Sequence, residues 1–341
     1  MSKYNKIYVV APYNHATGGV ELSHQLVDYL RNKNEEAYIV YFKKGYVLEK
    51  EHLNVTPAYS KYNIKVATEI EDNEKNILVL PEIFFELISD YNEINIGCWW
   101  MSVDNRYNYV NFKELLRHRK GIILKLKTIY VHLFRGMYKE KNSNVLLREN
   151  DNRITHLCQS QYAFQHVKEQ GFSNIEFLSD YINAAFIDTK LDNKKDIILY
   201  NPLKGYAFTK KIIDKMPDYQ FVALKGFSRE ELVSILGSAK LYIDFGHFPG
   251  KDRLPREAVV NGCCIITGKN GASKYFEDIP IPNSYKFESN KDNITAIVDR
   301  IKYVISNYDT CKSDFESYRT IVFEEKEKFF KEIDKVFGLS A

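Results

Sequence analysis

Twice along this chain, short apolar runs alternate with segments of helical periodicity, and most of the runs stop at a glycine, a proline or a polar loop. This alternation is the tightest constraint on the fold, because buried parallel strands read as nearly continuous apolar runs and need helical crossovers between them. Ile7 to Ala11 ends at Pro12, gives way to the polar loop Tyr13 to Thr17 and then to Gly18 and Gly19, and continues into a helix carrying Leu22, Leu26, Val27 and Leu30 at helical spacing. Tyr38 to Phe42 is the next strand. Lys43 to Lys75 is charged and irregular; beyond it, strands are expected at Asn76 to Leu80, Ile94 to Met101, Thr155 to Ser160 and Ile175 to Leu178, with a helix over Gln161 to Gln170.

The polar run Thr189 to Lys195 reads as a linker, and the rhythm restarts immediately after it. A strand at Asp196 to Tyr200 leads through Asn201-Pro202-Leu203-Lys204-Gly205 into a helix with Ile212, Ile213 and Met216. Tyr219 to Leu224 is a strand ended by Lys225 and Gly226, and Ser228 caps a helix with Glu231 at the capping-box position. Two α/β domains in 341 residues match ordinary domain sizes. We expect residues 1–188 to form one Rossmann-like domain and residues 189–312 a second, with an anionic donor and a second substrate able to meet between them. Residues 313–341 would form a terminal helix packing back on the first domain. Ligand loops at strand ends in both halves would face each other across a cleft.

Leu241 to Lys269, LYIDFGHFPGKDRLPREAVVNGCCIITGK, concentrates the chemistry. It joins a buried strand, a Gly/Pro-rich loop with Lys251, Arg253 and Arg256, a short helix opening near Leu254 and a second buried strand. A loop feeding a helix start offers backbone N–H groups and a positive dipole end, and the cations add formal charge, so phosphate is the expected guest. Gly18 and Gly19 would allow a similar close approach in the first half, the alternative being a tight turn with packing glycines. Asp104, after the strand Ile94 to Met101, is placed to hydrogen-bond a sugar or activate a hydroxyl, or simply to start a helix.

Other classes find no support. The net charge of +3 is too small for a global nucleic-acid field, and five cysteines without C-x-x-C spacing suit a reduced, cytoplasmic protein. No D-x-D, Walker loop, G-x-G-x-x-G or G-x-S-x-G is present, and the histidines lack a metal-ligand spacing. Neither a metal nor a cofactor is therefore expected. Residues 119–141 carry seven Lys or Arg against Glu140, interleaved with Ile122, Leu126, Ile129, Leu133, Phe134 and Met137. Such a helix suits peripheral contact with an anionic membrane, or a domain helix whose lysines snorkel over a core face.

Together these residues resemble the GT-B glycosyltransferases, especially glycosyltransferase family four and related bacterial surface-polysaccharide transferases. GGVELSHQLVDYLRNKNEEAYIVY is similar to that family's Gly-Gly loop and first helix, which implies a donor-phosphate contact at Gly18 and Gly19. YNPLKG resembles the strand end that keeps a basic pair for the pyrophosphate: Lys204 matches the lysine, Asn201 stands where an arginine is usual, and Arg253 and Arg256 are the expected replacements. The family's diagnostic glutamates have seven residues between them; Glu257 matches the second, which binds the donor ribose, and the first falls on Pro249. Asp244, His247 or Asp252 would then face the sugar, with Gly250, Lys251, Lys225 and Gly226 completing the donor loops.

The resemblance implies transfer of a sugar, of the hexosyl type, from a nucleoside diphosphate donor to a glycan or lipid-linked acceptor. It points to capsule or lipopolysaccharide synthesis without metal and with retention, on the cytoplasmic face of a membrane. Lys204, Arg253, Arg256 and Glu257, with Asp104 from the first domain, would be the catalytic group. If the reaction inverts, Asp104 or His15 would serve as base. A sugar nucleotide epimerase of the same fold and a catalytically silent nucleotide-sugar scaffold are the alternatives.

Overall fold

Strand β1 (Ile7–Pro12) is buried along nearly its whole length, and it takes β2 (Ala37–Lys43) on one side and β4 (Ile77–Pro81) on the other, both parallel. Helix α1 (Gly18–Asn32) makes the first crossover, burying Val20, Leu22, Leu26, Val27 and Leu30, as the helical spacing predicts. This computed structural model describes residues 2–43, 46–51, 55, 57–109, 121–123, 125–126, 129–130, 151–187 and 193–339. Among them, β5 (Asn95–Trp100), β6 (Ile154–Cys158) and β7 (Ile175–Phe177) extend the parallel sheet. The two-residue β3 (Val47–Leu48) adds an antiparallel edge, for an order β3-β2-β1-β4-β5-β6-β7. Val103–Tyr109 (α2) follows β5 and Gln161–Glu169 (α3) follows β6.

The second sheet is built from β8 (Lys195–Tyr200), β9 (Gln220–Ala223), β10 (Ala239–Asp244), β11 (Cys264–Gly268) and β12 (Lys286–Phe287), in the order β12-β11-β10-β8-β9 and parallel throughout. Its helices are α4 (Tyr206–Ile213), α5 (Arg229–Ser238), α6 (Arg253–Val260) and α7 (Ile294–Ser306). Ser228 caps α5 in a complete capping box with Glu231, as its spacing predicts. A continuous core of aliphatic and aromatic side chains, including Ile198, Leu241, Ile243, Tyr242 and Ile265, fills the space between sheet and helices. The last helix, α8, spans Glu316–Phe337.

The chain divides into two units, residues 1–159 with 163–179 and 330–341, and residues 160–162 with 180–329. Much of the expected linker 189–195, and the break expected at 188, lie outside the described residues, as does most of 119–141. No helix among the described residues is long and apolar enough to cross a membrane.

Each sheet has one place where the chain leaves a strand in opposite directions. In the first unit it lies between β1 and β4, and in the second between β8 and β10. Loops diverge at such points, and in open parallel sheets ligands bind there, beyond the strands' C-terminal ends.

Candidate functional site

In the second unit, three loops converge at that point. After β8, the Asn201 carboxamide oxygen accepts a hydrogen bond from the Leu203 amide at 3.0 Å, folding the loop so that Lys204 and Gly205 follow at once. Gly205 has φ of +66° and caps α4; a Cβ there would stand 2.5 Å from the Gly246 nitrogen and 2.6 Å from the Phe245 carbonyl carbon. The loops after β8 and β10 thus meet backbone to backbone, which only glycine permits in that conformation. A Cβ on Gly246 would in turn run into the Lys204 side chain at 2.4 Å, so the lysine stem crosses this glycine. The loop after β11 joins through Gly271, where a Cβ would strike the Phe248 carbonyl oxygen; the Phe248 amide donates to Asn270 O at 3.1 Å and the Ala272 amide to Phe248 O at 2.9 Å.

Lys204 is the charge at this convergence. Its ammonium donates to the Asp252 carboxylate and to the His247 carbonyl (3.3 Å), lies 3.6 Å from Asp244 and sits 3.8 Å from the centre of the Phe248 ring. Burial pushes its proton affinity below that of an ordinary lysine, and Asp244 only partly offsets this. Asp244 is itself fixed, accepting from the Tyr242 hydroxyl and the Gly246 amide, both at 2.8 Å. Burial first, then Asp244 and Glu257, raise the Tyr242 hydroxyl well above its usual value. Lys204, Asp244, Asp252 and the His247 carbonyl are therefore gathered beyond β10, with the His247 side chain exposed and Gly250 buried in the same loop, and Glu257 is buried in α6.

Lys225 and Gly226 are exposed at the end of β9, beside β8; Gly226 has φ of +80° and open space around it. Arg253 opens α6 and is half-buried.

Arg256 is placed differently from expectation. It is fully buried, and its guanidinium donates to Asp180 at 2.6 Å and to Glu325 at 2.8 Å, with a further bond to the Lys251 carbonyl at 3.0 Å. Lys251 joins the same carboxylates, 2.7 Å from Glu325 and 3.9 Å from Asp180. Burial alone would loosen the Arg256 proton and raise the Asp180 carboxyl. Their mutual charge outweighs it, holding Arg256 above and Asp180 below their ordinary values. Arg256 does not offer its guanidinium to a phosphate in this geometry, because it is committed inside the fold. Of the two replacements expected for the missing basic partner at Asn201, Arg256 is excluded by this commitment.

In the first unit, Gly18 and Gly19 form the opening turn of α1, after a Thr17 N-cap that contributes no side-chain bond. A Cβ on Gly19 would approach the Met101 sulfur at 3.3 Å. Asp104 lies in the first turn of α2, half-buried, where a carboxylate favours the helix start. His15 is exposed in the loop after β1.

Sequence reasoning missed Glu82, the first residue after β4 and so at the divergence point of this sheet. It is buried, accepts from the Met101 amide at 3.2 Å, and burial raises its carboxyl to about 7 despite the backbone amides that favour the charged form. The residues show only an acid directly after a strand that ends in proline and before Ile83, Phe84 and Phe85; its raised carboxyl comes from burial, which they do not display.

By sequence, no family model and no curated protein matches this chain. By structure, it is similar over 98% of its length to Anabaena HepE, solved with UDP and glucose, covering all of that chain with a TM-score of 0.61 at 10% identity. A glycosyltransferase from Rickettsia africae matches with a TM-score of 0.57 at 15% identity, over 97% of this chain and 100% of that one. The fold is that of the GT-B glycosyltransferases. A variant of TarM from S. aureus, in complex with fondaparinux, alpha-GlcNAc-glycerol and UDP, shares this GT-B fold over 79% of the chain, with a TM-score of 0.53 at 14% identity. The chain spans 56% of TarM's length.

Proposed function

We propose that the protein is a glycosyltransferase, with its second unit holding a nucleoside diphosphate sugar and its first unit receiving a glycan or lipid-linked acceptor. The observation that carries this reading is the convergence of the β8, β10 and β11 loops on Lys204 at the divergence point of a GT-B sheet. HepE and TarM, which share the fold, were solved with UDP, and that supports a nucleoside diphosphate as the guest. As the glycosidic bond breaks, charge builds on the departing diphosphate. A lysine in a partly desolvated setting then binds the transition state more strongly than the ground state.

In this reading Lys204 takes the diphosphate with help from Arg253, and Glu257 hydrogen-bonds the ribose. Arg256, buried, and Lys251, half-buried, brace the loop through the carboxylates they share. Gly18 and Gly19 offer the first unit's helix start to an anionic group, and Asp104 stands at the neighbouring strand end. Retention, independence from metal, a hexosyl group and a role in bacterial surface polysaccharide at the cytoplasmic face of a membrane belong to the same proposal. The absence of D-x-D and the family resemblance support them.

The test is to incubate the protein with a panel of UDP-, GDP-, ADP- and dTDP-sugars and follow nucleoside diphosphate release and sugar transfer. Slow release with one donor, abolished in Glu257→Ala, is the expected result. No release and no transfer with any donor would remove the reading.

A further inference from the structure

Lys204 carries one positive charge and meets two carboxylates, Asp252 as a hydrogen-bond partner and Asp244 at 3.6 Å. The lysine and its two carboxylates together carry a net negative charge, which opposes an anion approaching the ammonium until one carboxylate withdraws. Asp244 cannot withdraw: it is 1% exposed and held by the Tyr242 hydroxyl and the Gly246 amide. The Lys204 stem is confined as well, by its passage over Gly246. Asp252 is the more exposed of the two carboxylates. Its side chain is 24% exposed, while its backbone is anchored by the Arg256 Nε bond to its carbonyl at 3.2 Å, so release is a side-chain rotation alone.

A second observation gives the released carboxylate a place to go. Asp252 is the N-cap residue of α6, with extended backbone at φ −64° and ψ 142°, yet its side chain makes no capping bond. Aspartate is among the preferred N-cap residues because its carboxylate accepts from the amides two or three residues on. Here that carboxylate is turned to Lys204 instead. Asp252 has two alternative partners, an ammonium and a helix start.

We propose that Asp252 is the internal counter-anion of the diphosphate subsite: it competes with the donor's diphosphate for Lys204 and, when displaced, caps α6. This rests on the reading of Lys204 as the phosphate-binding lysine. Asp252 is then a positioning residue that sets donor affinity through Lys204, with no contact of its own to the sugar.

Calorimetric titration of the full chain with UDP, and with inorganic pyrophosphate as the phosphate-only probe, tests it. Asp252→Asn, which retains capping ability and loses the charge, should bind both probes about tenfold more tightly. Asp252→Glu should restore the weaker binding of the parent. In a Lys204→Met background, Asp252→Asn should bring no gain. Parent-like or weaker binding by Asp252→Asn, or the same gain without Lys204, would overturn the proposal while leaving the Lys204 reading intact. Binding of UDP that is indifferent to Lys204→Met would overturn both.

Discussion

Lys204 and Arg256 stand at neighbouring loops of one sheet, both were expected to face phosphate, and their settings are opposite. Arg256 is fully buried between Asp180 and Glu325, with charges matched and geometry closed. Lys204 is partly exposed and lies among loops that meet through glycines, with one of its two carboxylates able to turn away. A buried, fully paired cation holds structure together, and a partly desolvated one with an exchangeable partner can hold a ligand. What separates the two is where the counter-charges come from.

Removing Arg256 should have the largest effect on stability. Arg256→Met leaves Asp180 and Glu325 with Lys251 alone, and a stability loss of about 3–5 kcal/mol is expected in urea unfolding. A variant that kept its stability and lost UDP binding would put Arg256 beside Lys204 as a ligand residue.

Glu82 sharpens the contrast from the first unit, as a buried acid held mainly by backbone amides. Its carboxyl is raised from 4.5 to about 7 in the folded chain. The folded state therefore keeps a proton that the unfolded state has lost, and stability falls as pH rises from about 4.5 to about 7 and levels off above it. Glu82→Gln should flatten this slope and stabilise the chain above pH 7 by roughly 3 kcal/mol, read from unfolding at a series of pH values. An unchanged pH profile would mean that Glu82 ionises normally.

The smallest expected effect separates two glycines. Gly205→Ala places a Cβ 2.5 Å from the Gly246 nitrogen at φ +66°, and should cost about 1–3 kcal/mol and weaken UDP binding. Gly226→Ala, at φ +80° with nothing within 4 Å, should cost about 1–2 kcal/mol and leave binding unaltered. Equal effects of the two on binding would show that the contact between the β8 and β10 loops does not shape the site.

The alternation of apolar runs and helical spacing made most of both sheets legible, because strands buried on both faces have no polar alternation to hide them. Ile7–Pro12, Lys195–Tyr200 and Cys264–Gly268 all lie where the residues place them. The two-residue strands Val47–Leu48 and Lys286–Phe287 were not legible, since so short a segment carries no periodicity and forms by pairing with an existing edge. At the site, Lys204 and Gly205 were visible as a loop after a strand. The commitment of Arg256 was not, because its partners Asp180 and Glu325 are 76 and 69 positions away, and nothing local marks an ion pair of that span. Glu82 was hidden for another reason: its unusual proton affinity comes from burial.

The last helix has a consequence for how the chain is made. Glu325 belongs to the second unit, but from Phe330 onward the helix is part of the first. Phe330 stacks on Tyr29 with ring centres 4.1 Å apart, Glu332 accepts from the amide and hydroxyl of Ser179, and the Phe337 carbonyl receives the Lys3 amide at 3.0 Å. Domains emerging from the ribosome usually fold in order, the first before the next. Here the first unit includes residues 330–341, which are made after every residue of the second, so its contacts at Phe330, Glu332 and Phe337 can form only once the second unit's segment has been made.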